Sequence, residues 1–161
     1  MRGRLPCTRL KDLPFSQGCA ILYNVERERV NSLGSVTLAY IGDAVFSLFV
    51  RERVVNDAEF RAGECNARVN AYVKATAQSQ MFELILPELT EEEKDVARRG
   101  RNCHTPAKAK HTSLTDYKRA TALEALFGWL YLRGERERLE ELEEMCLSRM
   151  GGGNARKEDH A

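Results

Sequence analysis

Two carboxylates stand alone in the most apolar parts of this sequence. Asp43 is the only charged residue in 36–50, VTLAYIGDAVFSLFV, and Glu124 is the only one in 120–132, ATALEALFGWLYL. A carboxylate that is buried without a partner costs several kcal/mol, so buried acids are usually paired or bind a metal ion. Hard cations such as Mg²⁺ prefer oxygen ligands of this kind. We therefore expect Asp43 and Glu124 to converge on one divalent cation, the alternative being that each pairs with a buried arginine or caps a neighbouring helix.

A basic segment lies between the two acids in the chain. Residues 94–119 contain eight lysines or arginines and two acidic residues, a formal charge of +6 in a chain whose total is +1. Basic side chains beside a metal site suit a phosphodiester substrate, because they hold its phosphates while the metal acts on one of them. The charge alone is equally consistent with a solvated surface loop. The basic segment leads directly into the helix that carries Glu124, and this position favours a role in binding a substrate. His104 and His111 lie in this segment and could contact phosphate or act as an acid or base.

The elements that position these side chains are predicted to be helices. Only four prolines interrupt the chain, apolar residues recur at helical spacing, and no stretch alternates as a strand would, so the fold class is all-α. Thr90 and Glu93 form a capping-box pattern at one helix start, and Gly134 marks one helix end. The predicted helices cover about 32–55, 59–86 with room for a break near Gly63, 90–99, 113–132 and 135–149, and residues 100–112 form a loop.

The helix that carries Asp43 is predicted to be covered on both sides. It is apolar nearly all round, and such a helix must be buried. One side can face the core of its own chain, and a partner subunit would cover the other. At about 100° per residue, the Asp43 side also carries Val36, Ala39, Ser47 and Val50, and the opposite side carries Leu38, Ile41, Val45 and Leu48.

The helix that carries Glu124 is apolar except for one strip that is more polar than the rest. Helical spacing places Tyr117, Thr121, Gly128 and Tyr131 around Glu124. Gly128 permits another group to approach closely, because it has no side chain.

Length and composition exclude several classes of protein. With 161 residues, 43% hydrophobic and 30% charged, the chain is expected to form one globular domain rather than a disordered one. No apolar stretch approaches the roughly 20 residues needed to cross a bilayer, and the first residues lack the apolar core of a signal peptide. We therefore expect a cytoplasmic protein without a membrane partner. The five cysteines are odd in number and none is spaced as CxxC, which argues against a disulfide framework or a zinc site.

Three motifs give this sequence a resemblance to a known family. YIGDAVF at 40–46 resembles the signature helix of ribonuclease III, and EALFGWLYL at 124–132 resembles that family's second motif. RGRN at 99–102, followed by Lys110, Thr112 and Tyr117, is similar to the short bacterial branch called Mini-ribonuclease III. The resemblance spans about residues 33–145.

The sequence departs from classical ribonuclease III within the acidic cluster. Val36, Ala39 and Thr121 stand where that family has acidic residues, so only Asp43 and Glu124 remain. The mini branch is similarly depleted. Classical ribonuclease III also has a double-stranded-RNA-binding domain after its catalytic domain, and we expect none here.

The resemblance implies an all-α, ribonuclease III-like helical bundle that forms a homodimer through the signature helix. The composition of the two ends predicts an N-terminal extension over 1–30 and a flexible tail over 150–161, on either side of the catalytic domain over 31–149. The implied activity is Mg²⁺-dependent cleavage of double-stranded RNA, with the 23S ribosomal RNA precursor as substrate. Asp43 and Glu124 would be the catalytic residues and metal ligands. The RNA-binding residues would be Arg99, Arg101, Asn102, Lys110 and Thr112.

Two other functions are compatible with the sequence. The missing acids at Ala39 and Thr121 leave open a catalytically silent module of the same fold that binds double-stranded RNA without cutting it. The last predicted helix is strongly acidic, so a helical interaction protein that recruits a basic partner is the other alternative.

Overall fold

The computed structural model describes residues 27–57, 62–103 and 113–151, and these ranges are helical throughout except for short connections. They contain no strand, which confirms the all-α class. None of the helices in these ranges is both long enough and apolar enough to cross a membrane. The helices are α1 (Arg27–Ser32), α2 (Ser35–Asp57), α3 (Ala62–Val73), α4 (Ala75–Ile85), α5 (Glu91–Asn102), α6 (Leu114–Leu132) and α7 (Arg136–Gly151), with a 3₁₀ turn at Leu86–Glu88.

Helix α6 is the centre of the fold. Helices α2, α4 and α5 all pack against it, and its side chains from Ala120 to Leu130 are buried except that of Glu124, which is partly exposed. A helix surrounded on all sides must be apolar on all sides, which explains the composition of this segment. Glu124 is thus the single acid in the buried part of the central helix, from Ala120 to Leu130.

Helix α2 has a buried side and an exposed side. Phe46 is fully buried, and its ring lies 5.7 Å from that of Phe127 on α6. The exposed side is also apolar, and we call the four large side chains on it the α2 stripe. The stripe consists of Val36 (50% exposed), Tyr40 (78%), Leu48 (58%) and Val55 (66%).

The division between the two sides of α2 differs from the prediction. Leu38 and Leu48 were expected on one side, but Leu38 is buried and Leu48 is exposed. Val36 and Val50, expected on the other side, are likewise separated, with Val50 buried. The buried side is therefore rotated relative to the predicted one, because the contact with α6 selects which part of an apolar helix faces inward.

Several helix boundaries differ from their predictions. The break in the predicted helix 59–86 lies at Lys74, whose backbone is extended, and Gly63 lies inside α3. Helix α5 continues to Asn102 instead of ending near Arg99, because Gly100 packs against α6. Helix α1 includes residues 27–30, which were assigned to the extension, and its Val30 is fully buried.

The predicted capping box at Thr90 and Glu93, the helix start at Ser113 and the helix end at Gly134 are confirmed. Thr90 and Glu93 form a reciprocal capping box at the start of α5. The Ser113 hydroxyl accepts a hydrogen bond from the Asp116 backbone N–H at the start of α6. Gly134 has a φ of +72°, in the left-handed region that favours glycine, directly after the last turn of α6.

Candidate active site

Helices α2 and α6 meet through two glycines. A Cβ atom added to Gly42 would overlap the carbonyl oxygen of Glu124 and lie 2.8 Å from the backbone nitrogen of Gly128. A Cβ atom added to Gly128 would overlap the carbonyl oxygen of Leu38 and lie 2.9 Å from the backbone nitrogen of Gly42. The two backbones are therefore in direct contact, and Gly128 permits the close approach expected of it.

This contact brings the two isolated acids together. Asp43 directly follows Gly42 on α2, and Glu124 lies one helical turn before Gly128 on α6. Both acids line one groove of about 280 Å³, so the structure brings together the two residues predicted to converge. The other residues that line the groove are Val36, Ala39, Tyr40, Tyr117 and Thr121.

The two carboxylates differ in their exposure and electrostatics. Asp43 is exposed, which corrects the expectation that it is buried, because none of the described residues covers its side of α2. Glu124 is partly buried. Burial and the nearby charge of Asp43 raise the pKa of Glu124 to about 7, while the Gln78 side chain lowers it. A cation in the groove would counteract both unfavourable effects, because opposite charge favours the ionised form of a carboxyl group.

The groove can hold a hard cation with few protein ligands. Within the described ranges, no group of three or more histidine, cysteine, aspartate or glutamate side chains could hold a metal ion. Two carboxylates are nevertheless a common protein contribution to a Mg²⁺ site, where water and phosphate oxygens complete the octahedron. The donor set of Asp43 and Glu124 therefore fits Mg²⁺ and not a closed structural zinc site.

The end of α5 lies beside the groove. A Cβ atom on Gly100 would be 2.8 Å from the Ala125 Cβ and 3.1 Å from the Thr121 carbonyl oxygen, and Thr121 lines the groove. The last turn of α5 is thus pressed against α6 next to the acids. Arg99, Arg101 and Asn102 are exposed there.

The basic segment contains four other candidates for contact with phosphate. Lys110 and Thr112, as well as His104 and His111, lie outside the described residues. Arg99 lines a second cavity, of about 310 Å³, together with Trp129 and Asn31. Arg99 is not among the residues that line the groove with Asp43 and Glu124.

Two residues of the site were not predicted. Gly42 had a signal, since a glycine in an apolar helix often marks a close helix contact, and only Gly128 was interpreted in this way. Gln78 had no signal, because a glutamine in a helix is ordinarily exposed. In the structure it is 2% exposed and lies beside Glu124.

Comparison with known proteins identifies the family and the fold. The pattern of the ribonuclease III domain matches residues 36–135, a range that includes α2 from its second residue, all of α6 and the groove between them. This chain belongs to the ribonuclease III family. It is therefore an endoribonuclease. Val36, Ala39 and Thr121, which the resemblance aligned with acidic residues of the classical enzyme, line the groove with Asp43 and Glu124.

The most similar relatives include proteins named Mini-ribonuclease 3. The protein from Symbiobacterium thermophilum is 42% identical over 69% of this chain and 85% of its own length. The protein from Synechocystis is 42% identical over 84% of this chain and 91% of its own length. A solved structure of a protein from Fusobacterium nucleatum is 28% identical, with a TM-score of 0.67 over 75% of this chain and 97% of that chain. The chain thus belongs to the mini branch of the ribonuclease III family.

Proposed function

We propose that this endoribonuclease cleaves double-stranded RNA with Mg²⁺ held by Asp43 and Glu124. The observation that carries this proposal is the convergence of the two isolated acids in one groove, where the backbone contact of α2 and α6 holds them. A rigid scaffold of this kind can keep two ligands at a fixed separation, which catalysis by a metal ion requires.

Each part of the site has a role in this proposal. The cation, when bound, polarises the scissile phosphate and lowers the pKa of an attacking water. Asp43 and Glu124 hold and orient it, directly or through water. The RNA backbone is held by the exposed end of α5 and by the basic residues that follow it. Recognition depends on the A-form shape, the phosphates and the 2′-hydroxyls, because the deep major groove of RNA hides the base edges. The residues proposed to hold the RNA are Arg99, Arg101, Asn102, Lys110 and Thr112.

We further propose that two copies of the chain associate through the α2 stripe. Exposed apolar side chains that continue along one helix are characteristic of an interface between proteins. We expect a second copy of the chain to cover the stripe, because an RNA duplex has two strands to cut and needs an extended surface. Val36 and Tyr40 belong to both the stripe and the groove, so a partner would border each active site.

The proposed cellular substrate is the precursor of 23S ribosomal RNA, cut in the cytoplasm at the paired ends of its flanks. The resemblance to the mini branch supports this choice. A transcript that contains the paired flanks should be cut at discrete positions, and an unrelated duplex of the same length provides the comparison.

The test of the proposed function is a cleavage assay with purified protein and duplex RNA. We expect cleavage with Mg²⁺, none with a chelator, and binding that weakens steeply as salt increases. Binding without cleavage under every condition would instead indicate a silent RNA-binding module. No affinity for duplex RNA even at low salt would contradict the proposal and favour a protein-interaction role.

A further inference from the structure

Gln78 is a polar side chain inside an apolar layer. It lies on the buried side of α4 with Met81, Phe82 and Ile85, and it is 2% exposed. Its side-chain nitrogen Nε2 is buried and has no hydrogen-bond partner among the described residues. A buried donor without a partner costs free energy, so packing alone would favour an apolar residue of the same length.

The group beside this amide is the Glu124 carboxylate. Helix α4 packs against α6, and the Gln78 side chain favours the ionised form of Glu124, while burial and Asp43 oppose it. No lysine or arginine of the described ranges is among the groups that influence Glu124 in this way. The Gln78 amide, whose Nε2 has no hydrogen-bond partner, therefore lies beside the Glu124 carboxyl group, which no described lysine or arginine stabilises.

We propose that Gln78 is a positioning residue for Glu124: its amide donates a hydrogen bond to one carboxylate oxygen when a cation binds, leaving the other oxygen for the cation. This proposal rests on the proposed function, in which Asp43 and Glu124 hold that cation. With only two protein carboxylates at the site, the orientation of each one matters. A hydrogen bond from the rigid core fixes an orientation that a partly exposed glutamate would otherwise lose.

The test replaces Gln78 with methionine, which keeps the unbranched length of the side chain and removes the donor. Gln80→Met is the matched control, because Gln80 is exposed on the same helix. Mn²⁺ serves as the probe cation, since it suits the same oxygen ligands. Its binding is measured by electron paramagnetic resonance without RNA, and kcat and KM for duplex RNA are measured with Mg²⁺.

We expect Gln78→Met to weaken Mn²⁺ binding and to lower kcat, each by on the order of tenfold, the usual effect of one hydrogen bond to a charged group. KM for the RNA should not change, since Gln78 does not contact the substrate. The Tm should stay the same or rise, because an unsatisfied buried donor has been removed. Gln80→Met should match the wild type in every measurement.

Wild-type Mn²⁺ affinity and kcat in Gln78→Met would overturn the proposal and leave the proposed function intact. A wild-type protein that neither binds Mn²⁺ nor cleaves duplex RNA would instead refute the proposed function, and this proposal with it. Gln78→Leu, of similar volume, is the second variant if Gln78→Met fails to fold. Should both fail to fold, the amide is required for packing and the positioning role is refuted.

Discussion

Replacement of Gly128 by alanine tests whether α2 and α6 meet through their backbones. The added Cβ would overlap the Leu38 carbonyl oxygen and lie 2.9 Å from the Gly42 nitrogen, and neither backbone atom can move aside as a flexible side chain can. Overpacking costs about 1–3 kcal/mol, and contact with backbone places this variant near the upper end. The higher helix propensity of alanine offsets about 1 kcal/mol. We therefore expect the free energy of unfolding to fall by about 2 kcal/mol.

Gly128→Ala should also lower the rate of cleavage, by a larger factor than the loss of folded protein explains. A loss of about 2 kcal/mol corresponds to a decrease in Tm of roughly 4–8 °C for a chain of this size. The helices must also separate, which moves Asp43 away from Glu124. A displacement of about 1 Å at a catalytic site can reduce the rate roughly a hundredfold. Thermal unfolding, and cleavage of duplex RNA well below the Tm, measure these two effects separately.

Gly63→Ala is the matched control for Gly128→Ala. Gly63 lies in the first turn of α3, and a Cβ atom there would have nothing within 4 Å. This variant should cleave like the wild type and be equally stable or more stable. A Gly128→Ala protein with the stability and activity of the wild type would refute the close contact of α2 and α6.

Three further predictions concern the RNA interface, the dimer and a buried acid. Arg101→Ala should weaken binding to duplex RNA and reduce the slope of log affinity against log salt by about one, measured by fluorescence anisotropy, because one phosphate contact is lost; an unchanged slope would exclude Arg101 from the interface. If two copies associate as proposed, Leu48→Glu should give monomers in analytical ultracentrifugation. Leu114→Glu should not, because Leu114 is 66% exposed but lies on α6. Equal behaviour of these two variants would contradict association through α2. Glu143 is 3% exposed, and burial together with two nearby glutamates raises its pKa to about 8 from 4.5. Between about pH 4.5 and pH 8, the folded protein keeps a proton on Glu143 that the unfolded chain releases. The free energy of unfolding therefore falls as the pH rises through this range, by at most about 1.4 kcal/mol per pH unit. Glu143→Gln should reduce the loss of unfolding free energy, measured with urea, between about pH 4.5 and pH 8. A loss as steep as that of the wild type would show that Glu143 is not its source.

The positions of the two acids could be predicted because their surroundings are so apolar. A single charge in a long apolar helix stands out, and Asp43 and Glu124 do line one groove. The exposure of Asp43 could not be predicted in the same way. It depends on what covers the outer side of α2, and nothing in a helix that is apolar all round shows which side will be left open.

Other features could not be read from one sequence because they depend on contacts between distant residues. Gly100 lies inside α5 and does not end it. Because Gly100 has no side chain, α5 can approach α6 closely at this position. The chain bends at Lys74 instead of Gly63, although lysine has no special preference for an extended backbone. Gln78 has the composition of a surface residue, and only the packing of α4 on α6 places it in the core.

Cleavage of a long RNA duplex by Asp43→Asn, with Mg²⁺ present, tests the central claim most directly. Asp95→Asn is the control, because Asp95 is an exposed acid whose pairing with Arg98 at the surface contributes little to stability. We predict that Asp43→Asn keeps the wild-type Tm and loses cleavage by at least roughly a hundredfold, as expected when a metal ligand is removed, while Asp95→Asn cleaves normally. Cleavage by Asp43→Asn at the wild-type rate would contradict the assignment of Asp43 as a metal ligand.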